Sequence, residues 1–169
     1  MPSENKIVLV INPISGNVDK EELLVQMQER LRWYGYNFTI YKTAGTNDYA
    51  QLRQVLAEGT YDRMIACGGD GTIAFAAEVA AEYHLPLGII PLGSSNGLAK
   101  CFQIPDIPLD ALEVALKGVP IEVDAVDLNG SKSLHLSDLG LNAHLVMNFE
   151  NGGLRGKVGY LKEVIRTIS

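Results

Sequence analysis

Five consecutive residues, Gly68-Gly69-Asp70-Gly71-Thr72, combine three glycines with one carboxylate. They stand between an apolar, strand-like run (Arg63 to Cys67) and an alanine-rich, helix-like run (Ile73 to Tyr83). Bare backbone at a strand-to-helix turn lets a bulky anion come close, and the following helix aims unpaired N–H groups and partial positive charge at it. The pattern favours phosphate or nucleotide binding. The alternative is a structural turn, which needs neither so many glycines nor an acid among them.

Two other loops carry similar chemistry. Asn12-Pro13-Ile14-Ser15-Gly16 follows a strand-like run; Asn12 and Ser15 offer hydrogen bonds to a polar ligand, and they serve equally well as turn formers. Pro91-Leu92-Gly93-Ser94-Ser95-Asn96-Gly97 brings two hydroxyls and an amide to the start of a helix-like run, Leu98 to Phe102. Ser94 and Asn96 suit phosphate or ribose oxygens there; plain helix capping by Ser95 or Asn96 is the other reading. Three such loops after three separate strands point more specifically to a site than any one of them.

The elements that must hold these loops follow from periodicity. Lys6 to Ile11 is a continuous β-branched run, as in a strand buried on both faces of a parallel sheet. Asp19 with Glu22 opens a helix through Leu23, Leu24, Met27 and Leu31 that stops at Gly35. Asn37 to Tyr41 alternates as a second strand, Asn47 or Asp48 caps a second helix, and Leu87 to Pro91 is a fourth strand. Strands alternating with helices imply right-handed crossovers and a mostly parallel sheet with helices on both faces. Such sheets bind ligands at the carboxyl ends of their strands, where all three loops fall.

After Pro120 the texture changes. Ile121 to Leu128 and Ser133 to Leu139 alternate on either side of Asn129-Gly130, a strong hairpin signal. The expected division is an α/β domain over 1–120 and the incomplete start of an antiparallel β domain over 121–169, ending in an amphipathic helix from Val158 to Ile168.

Composition narrows the function. The 169 residues are 47% apolar with a net charge of -6, which supports one good core and argues against nonspecific nucleic-acid binding. Cys67 and Cys101 read as reduced, partly buried thiols. The basic cluster Arg155, Lys157, Lys162 and Arg166 reads as a solvated helix face. No GxxxxGK[ST], no GxGxxG after the first strand and no protein-kinase motif set occur. His84, His135 and His144 are not spaced with acids as metal ligands or triad members, and no metal ligand set is assigned. The N-terminus lacks a secretory pattern, and no apolar run approaches the roughly 20 residues that span a bilayer.

At its loops the chain resembles the diacylglycerol kinase catalytic domain family, which includes bacterial diacylglycerol and related lipid kinases and the sphingosine kinases. The resemblance rests on Asn12 to Gly16, Thr43, Gly68 to Thr72 and Pro91 to Ala99, and continues through the hairpin, LSDLGLNAHLV and GKVGYL. It implies an NAD kinase/diacylglycerol kinase-like α/β domain, a C-terminal β domain and a cleft between them. ATP would be the donor, Mg²⁺ the metal and a lipid hydroxyl, of diacylglycerol or sphingoid type, the acceptor. Asn12 and Thr43 would lie near the nucleotide, Gly68, Gly69, Asp70, Gly71 and Thr72 would hold its phosphates, and Ser94 would add a hydroxyl. Asp70 would hold Mg²⁺ through water or take the acceptor's proton. Gly97 and Asn142 stand where many relatives carry Asp.

The resemblance also implies that the chain is truncated within the C-terminal β domain, keeping a nucleotide site with little or no lipid kinase activity. A cytoplasmic protein follows, touching the inner membrane face transiently, with an exposed sheet edge that invites self-association. Two other readings stay open: an NAD kinase-like phosphotransferase, which shares the GGDG turn, and a nucleotide-binding module without catalysis.

Overall fold

The computed structural model describes residues 5–14, 20–128 and 131–133. The chain divides into two compact units, Met1–Leu134 and His135–Ser169, and every described residue lies in the first. In chain order its elements are β1 (Lys6–Ile11), α1 (Lys20–Trp33), β2 (Asn37–Lys42), α2 (Asp48–Ala57), β3 (Arg63–Gly68), α3 (Asp70–Glu82), β4 (Leu87–Pro91), α4 (Gly97–Cys101), α5 (Pro108–Lys117), β5 (Val126–Leu128) and β6 (Ser131–Ser133).

β1 to β4 form a parallel sheet in the order β2-β1-β3-β4. The order has a functional consequence. From β1 the chain moves outward to β2, then returns to the other side of β1 for β3. The point of reversal therefore lies between the carboxyl ends of β1 and β3, where open α/β sheets leave a crevice for ligands. Asn12 and Gly68-Gly69 leave the sheet on either side of that point.

Side chains alternate across the sheet, so the continuous apolar runs feed two cores. Val8, Val10, Met64 and Ala66 pack on Leu52 and Leu56 of α2 and on Ile73, Ala76, Val79 and Ala80 of α3. Ile7, Leu9, Ile11, Ile65 and Cys67 face Leu23, Met27 and Leu31 of α1 and Ala111, Leu112, Ala115 and Leu116 of α5. Burial pushes the Cys67 thiol up to about 12, so it stays protonated and acts as a small apolar filler. Cys101, expected to be partly buried, is exposed.

Gly35 ends α1 as expected, at φ 77°. The Tyr36 N–H donates to the Leu31 carbonyl at 3.0 Å and the Gly35 N–H to the Arg32 carbonyl at 3.0 Å, the paired bonds of a Schellman motif. Three details differ from the sequence expectations. α3 starts at Asp70 rather than Ile73, so the acid and Thr72 sit in its first turn. α5 was not foreseen; Pro108 sets its first turn, and Ala111, Leu112, Ala115 and Leu116 bury one stripe of it. The antiparallel pair is shorter than its alternation suggested: β5 begins at Val126, while 121–125 is not strand. β6 runs from Ser131 to Ser133, and Leu128 pairs with Ser131 across a two-residue connection. The Asp19 cap, the run from 134 to Leu139, the basic cluster and the last helix lie outside the described residues.

Candidate functional site

Because the strands are parallel, the loops after β1, β2, β3 and β4 share one rim of the sheet. The first of them is locked by its own asparagine. The Asn12 N–H donates to the Cys67 carbonyl at 3.1 Å, extending the β1–β3 ladder by one rung. Asn12 Oδ1 accepts the Ile14 N–H at 3.0 Å, and its Nδ2 donates to Thr72 Oγ1 at 3.3 Å. The side chain expected to reach a ligand thus ties its own turn to the glycine loop. Ser15 and Gly16 lie outside the described residues.

The second loop passes directly into α3. Gly68 is buried, and a Cβ there would stand 2.5 Å from Thr72 Oγ1 and 2.6 Å from Thr72 Cβ, so glycine is needed for packing. Gly69 is the extended residue before the helix, and the Ile73 N–H donates the first intrahelical bond to its carbonyl at 3.0 Å. The N–H groups of Asp70, Gly71 and Thr72 precede that bond and have no acceptor within the helix, where the partial positive charge of α3 also gathers. Gly71 has no such packing reason. A Cβ on it would meet nothing within 4 Å, although glycine inside a helix costs roughly 1 kcal/mol relative to alanine. A bare, open backbone position beside unpaired amides is what the close approach of an anion requires.

The third loop is pressed against the second. The Leu92 N–H donates to the Gly68 carbonyl at 2.8 Å, and a Cβ on Gly93 would lie only 2.5 Å from Gly69 Cα. Asn96, left-handed at φ 50°, accepts the Gly93 N–H on Oδ1 at 2.8 Å and donates from Nδ2 to the Gly93 carbonyl at 2.9 Å. It therefore closes its own loop and makes no side-chain cap for α4. That cap comes from elsewhere: Asp70 Oδ2 accepts the Gly97 N–H and Oδ1 the Leu98 N–H, each at 3.0 Å. Sequence reasoning missed this link because the partners are 27 and 28 residues apart. Ser94 and Ser95 remain exposed on the rim.

Thr43 joins the rim through β1, its N–H donating to the Ile11 carbonyl at 2.9 Å. The turn it opens is held by Asp48, which accepts the Ala44 and Gly45 N–H groups at 2.8 Å each and the Tyr41 hydroxyl at 2.6 Å. Asp48 thus anchors the preceding loop rather than capping α2. Burial alone would raise its carboxyl, but the Tyr41 hydroxyl and the two amides outweigh it and hold the carboxyl below its usual value. Burial and the Asp48 contact raise the Tyr41 hydroxyl in turn. A carboxyl lowered on folding adds stability above the ordinary carboxylate range, and that stability disappears as pH falls through the folded value. Asp48→Asn is therefore expected to lose about 1 kcal/mol at neutral pH. Its melting curve against pH should converge with that of the unsubstituted protein in acid.

The structure thus joins Asn12 to Thr72, Gly69 to Gly93, and Asp70 to the start of α4. His84 is exposed; His135 and His144 lie outside the described residues. Among the described residues no three His, Cys, Asp or Glu side chains come together as a metal site. An apolar groove of about 600 Å³ runs along α3 between Ala74, Ala77, Leu87 and Ile121; Leu98 of α4 lines it, and Asn12, Thr43, Gly68 to Thr72, Ser94 and Asn96 do not. Among the described residues no helix is long and apolar enough to cross a membrane.

The family model of the diacylglycerol kinase catalytic domain matches residues 6–128. The chain belongs to that family. It is 31% identical over 144 residues to the "Probable lipid kinase YegS-like" of Chromohalobacter salexigens, covering 79% of this chain and 46% of that protein. It is 29% identical over 136 residues to the diacylglycerol kinase of Bacillus subtilis, covering 78% of this chain and 45% of that one. A solved diacylglycerol kinase from Bacillus anthracis str. Sterne superposes with a TM-score of 0.66 at 25% identity, over 78% of this chain and 50% of its own. The chain spans about half the length of the relatives it matches. The family match covers the whole of the parallel sheet and the three loops of the diacylglycerol kinase-type fold.

Proposed function

We propose that this chain is the nucleotide-holding part of an ATP-dependent lipid kinase that phosphorylates a lipid hydroxyl of diacylglycerol or sphingoid type. The observation that carries the reading is Gly71: a helix-start glycine open to solvent, beside amides with no acceptor within the helix, at the reversal point of a parallel sheet. The triphosphate lies over the start of α3, bounded by Asn12 and Thr43 on one side and by Ser94 and Asn96 on the other; Ser15, also proposed to contact it, lies outside the described residues. In the transfer, the bond from the γ-phosphorus to the β,γ-bridging oxygen breaks, and the lipid oxygen takes the phosphorus in line. ADP leaves, and the hydroxyl proton passes to a base, for which Asp70 is the rim carboxylate.

The described residues do not form a closed metal site, so Mg²⁺ would arrive with the triphosphate, and no step is derived through it. The wider setting proposed is the cytoplasm, with transient contact at the inner membrane face and self-association through a sheet edge. The proposed junction with the β domain lies near residue 120, just after the helical layer ends with α5 at Lys117.

Coverage of less than half of the Chromohalobacter salexigens and Bacillus subtilis relatives favours a second reading, in which this chain alone binds nucleotide without transferring phosphate. Incubation with γ-labelled ATP, Mg²⁺, NAD and micelles of diacylglycerol or a sphingoid base separates the readings. Label in lipid establishes the kinase, and ATP binding without transfer assigns the chain the holding role alone. Label in NAD would move it to the NAD kinase-like class, and absence of ATP binding overturns both nucleotide readings.

A further inference from the structure

Asp70 starts α3, yet both of its carboxylate oxygens are turned to the next loop. There they accept the first two N–H groups of α4, a helix of 5 residues whose preceding residue supplies no side-chain cap. Asn96 cannot fill that place, because its left-handed backbone and its two bonds to Gly93 commit it to closing its own turn. One helix start has lent its acid to the other.

We infer that Asp70 is a positioning residue that clamps the beginning of α4 and so holds the Ser94–Gly97 loop against Gly69 before any nucleotide or metal arrives. The clamp deepens the nucleotide reading proposed above and rests on it for its effect on ligand. It is compatible with a further role of the same carboxylate in proton transfer. Two consequences follow from the geometry. The amides of Gly97 and Leu98 are occupied, so the anion is met by the amides of Asp70 to Thr72 and, on the third loop, by Ser94 and Ser95. A carboxylate is also required by chemistry: asparagine presents one acceptor and one NH₂ group, setting a donor against a donor at one of the two amides.

The test uses the protein without ligand first. In the unsubstituted chain, trans-hydrogen-bond NMR couplings from the Gly97 and Leu98 nitrogens to the Asp70 carboxyl carbon are expected; their absence overturns the clamp without any variant. In Asp70→Asn, hydrogen exchange at Gly97 and Leu98 should become about tenfold faster, and ATP affinity about tenfold weaker in EDTA and in Mg²⁺ alike. A loss confined to Mg²⁺ would show that Asp70 acts only through the metal, and unchanged affinity in both would leave it a base alone; either result overturns the clamp. Should the unsubstituted chain bind no ATP, the nucleotide reading fails, and the couplings and exchange at Gly97 and Leu98 decide the clamp by themselves.

Discussion

Gly93→Ala is expected to separate the second and third loops and to weaken ATP binding by about tenfold or more, together with a stability loss of about 1–3 kcal/mol. The added Cβ would stand 2.5 Å from Gly69 Cα and 2.8 Å from Asn96 Oδ1. The first neighbour is main chain and cannot swing aside, so the loops must part. Their separation would draw Gly97 and Leu98 away from Asp70 and open the rim beside α3. Calorimetric titration with ATP alongside thermal melting reads both effects. Normal ATP affinity in a folded Gly93→Ala protein would show that the close approach of the loops plays no part in binding.

Gly88→Ala is the counterpart on the other side of the molecule's logic, a packing change remote from the rim. Gly88 lies in β4 under α5, and its Cβ would stand 2.6 Å from Ala115 Cβ and 3.3 Å from both Ala115 Cα and Ile65 Cγ1. The strand and helix must move apart, against a neighbourhood also tied by the Arg63 guanidinium donating to the Ala115 carbonyl. A cost of about 1–3 kcal/mol is expected, with ATP affinity unchanged below the melting range. The pair separates stability from binding: both variants melt lower, and only Gly93→Ala loses nucleotide. If Gly88→Ala weakened ATP binding as strongly, the loss in Gly93→Ala could be assigned to general loosening.

The parts of the fold readable from sequence were those with a local cause. Lys6 to Ile11 and Arg63 to Cys67 are apolar on both faces because the central strands are covered on both sides, and that reads directly as a parallel sheet. Gly35 marked a helix end because a left-handed position has a residue preference of its own. The glycine-acid loop marked the rim for a different reason: Gly68 has no room for a side chain against Thr72, and Gly71 leaves the helix start bare. α5 escaped because its apolar stripe follows a stretch broken by Pro105 and Pro108, where periodicity is interrupted before the helix begins. The alternation of Ile121 to Ala125 suggested strand, but alternation records only side-chain character, and a strand needs a partner for its main chain. At the site, residue types were legible and the bonds between them were not. Asn12 and Asn96 looked like ligand contacts and hold their own loops; Asp70 looked like a lone acid and bridges two helices. Each of these bonds joins groups by tertiary geometry, of which local spacing carries no trace.

The central claim is that one anion site lies where the loops after β1, β3 and β4 meet at the start of α3. Its most direct test is an ATP titration followed through the backbone amide resonances of the isotope-labelled chain. Saturable shifts at Asp70, Gly71 and Thr72, matched in affinity by shifts at Asn12 and Ser94, are predicted. Amides at those positions that stay unmoved, or shifts confined to the groove along the flank of α3, would contradict it.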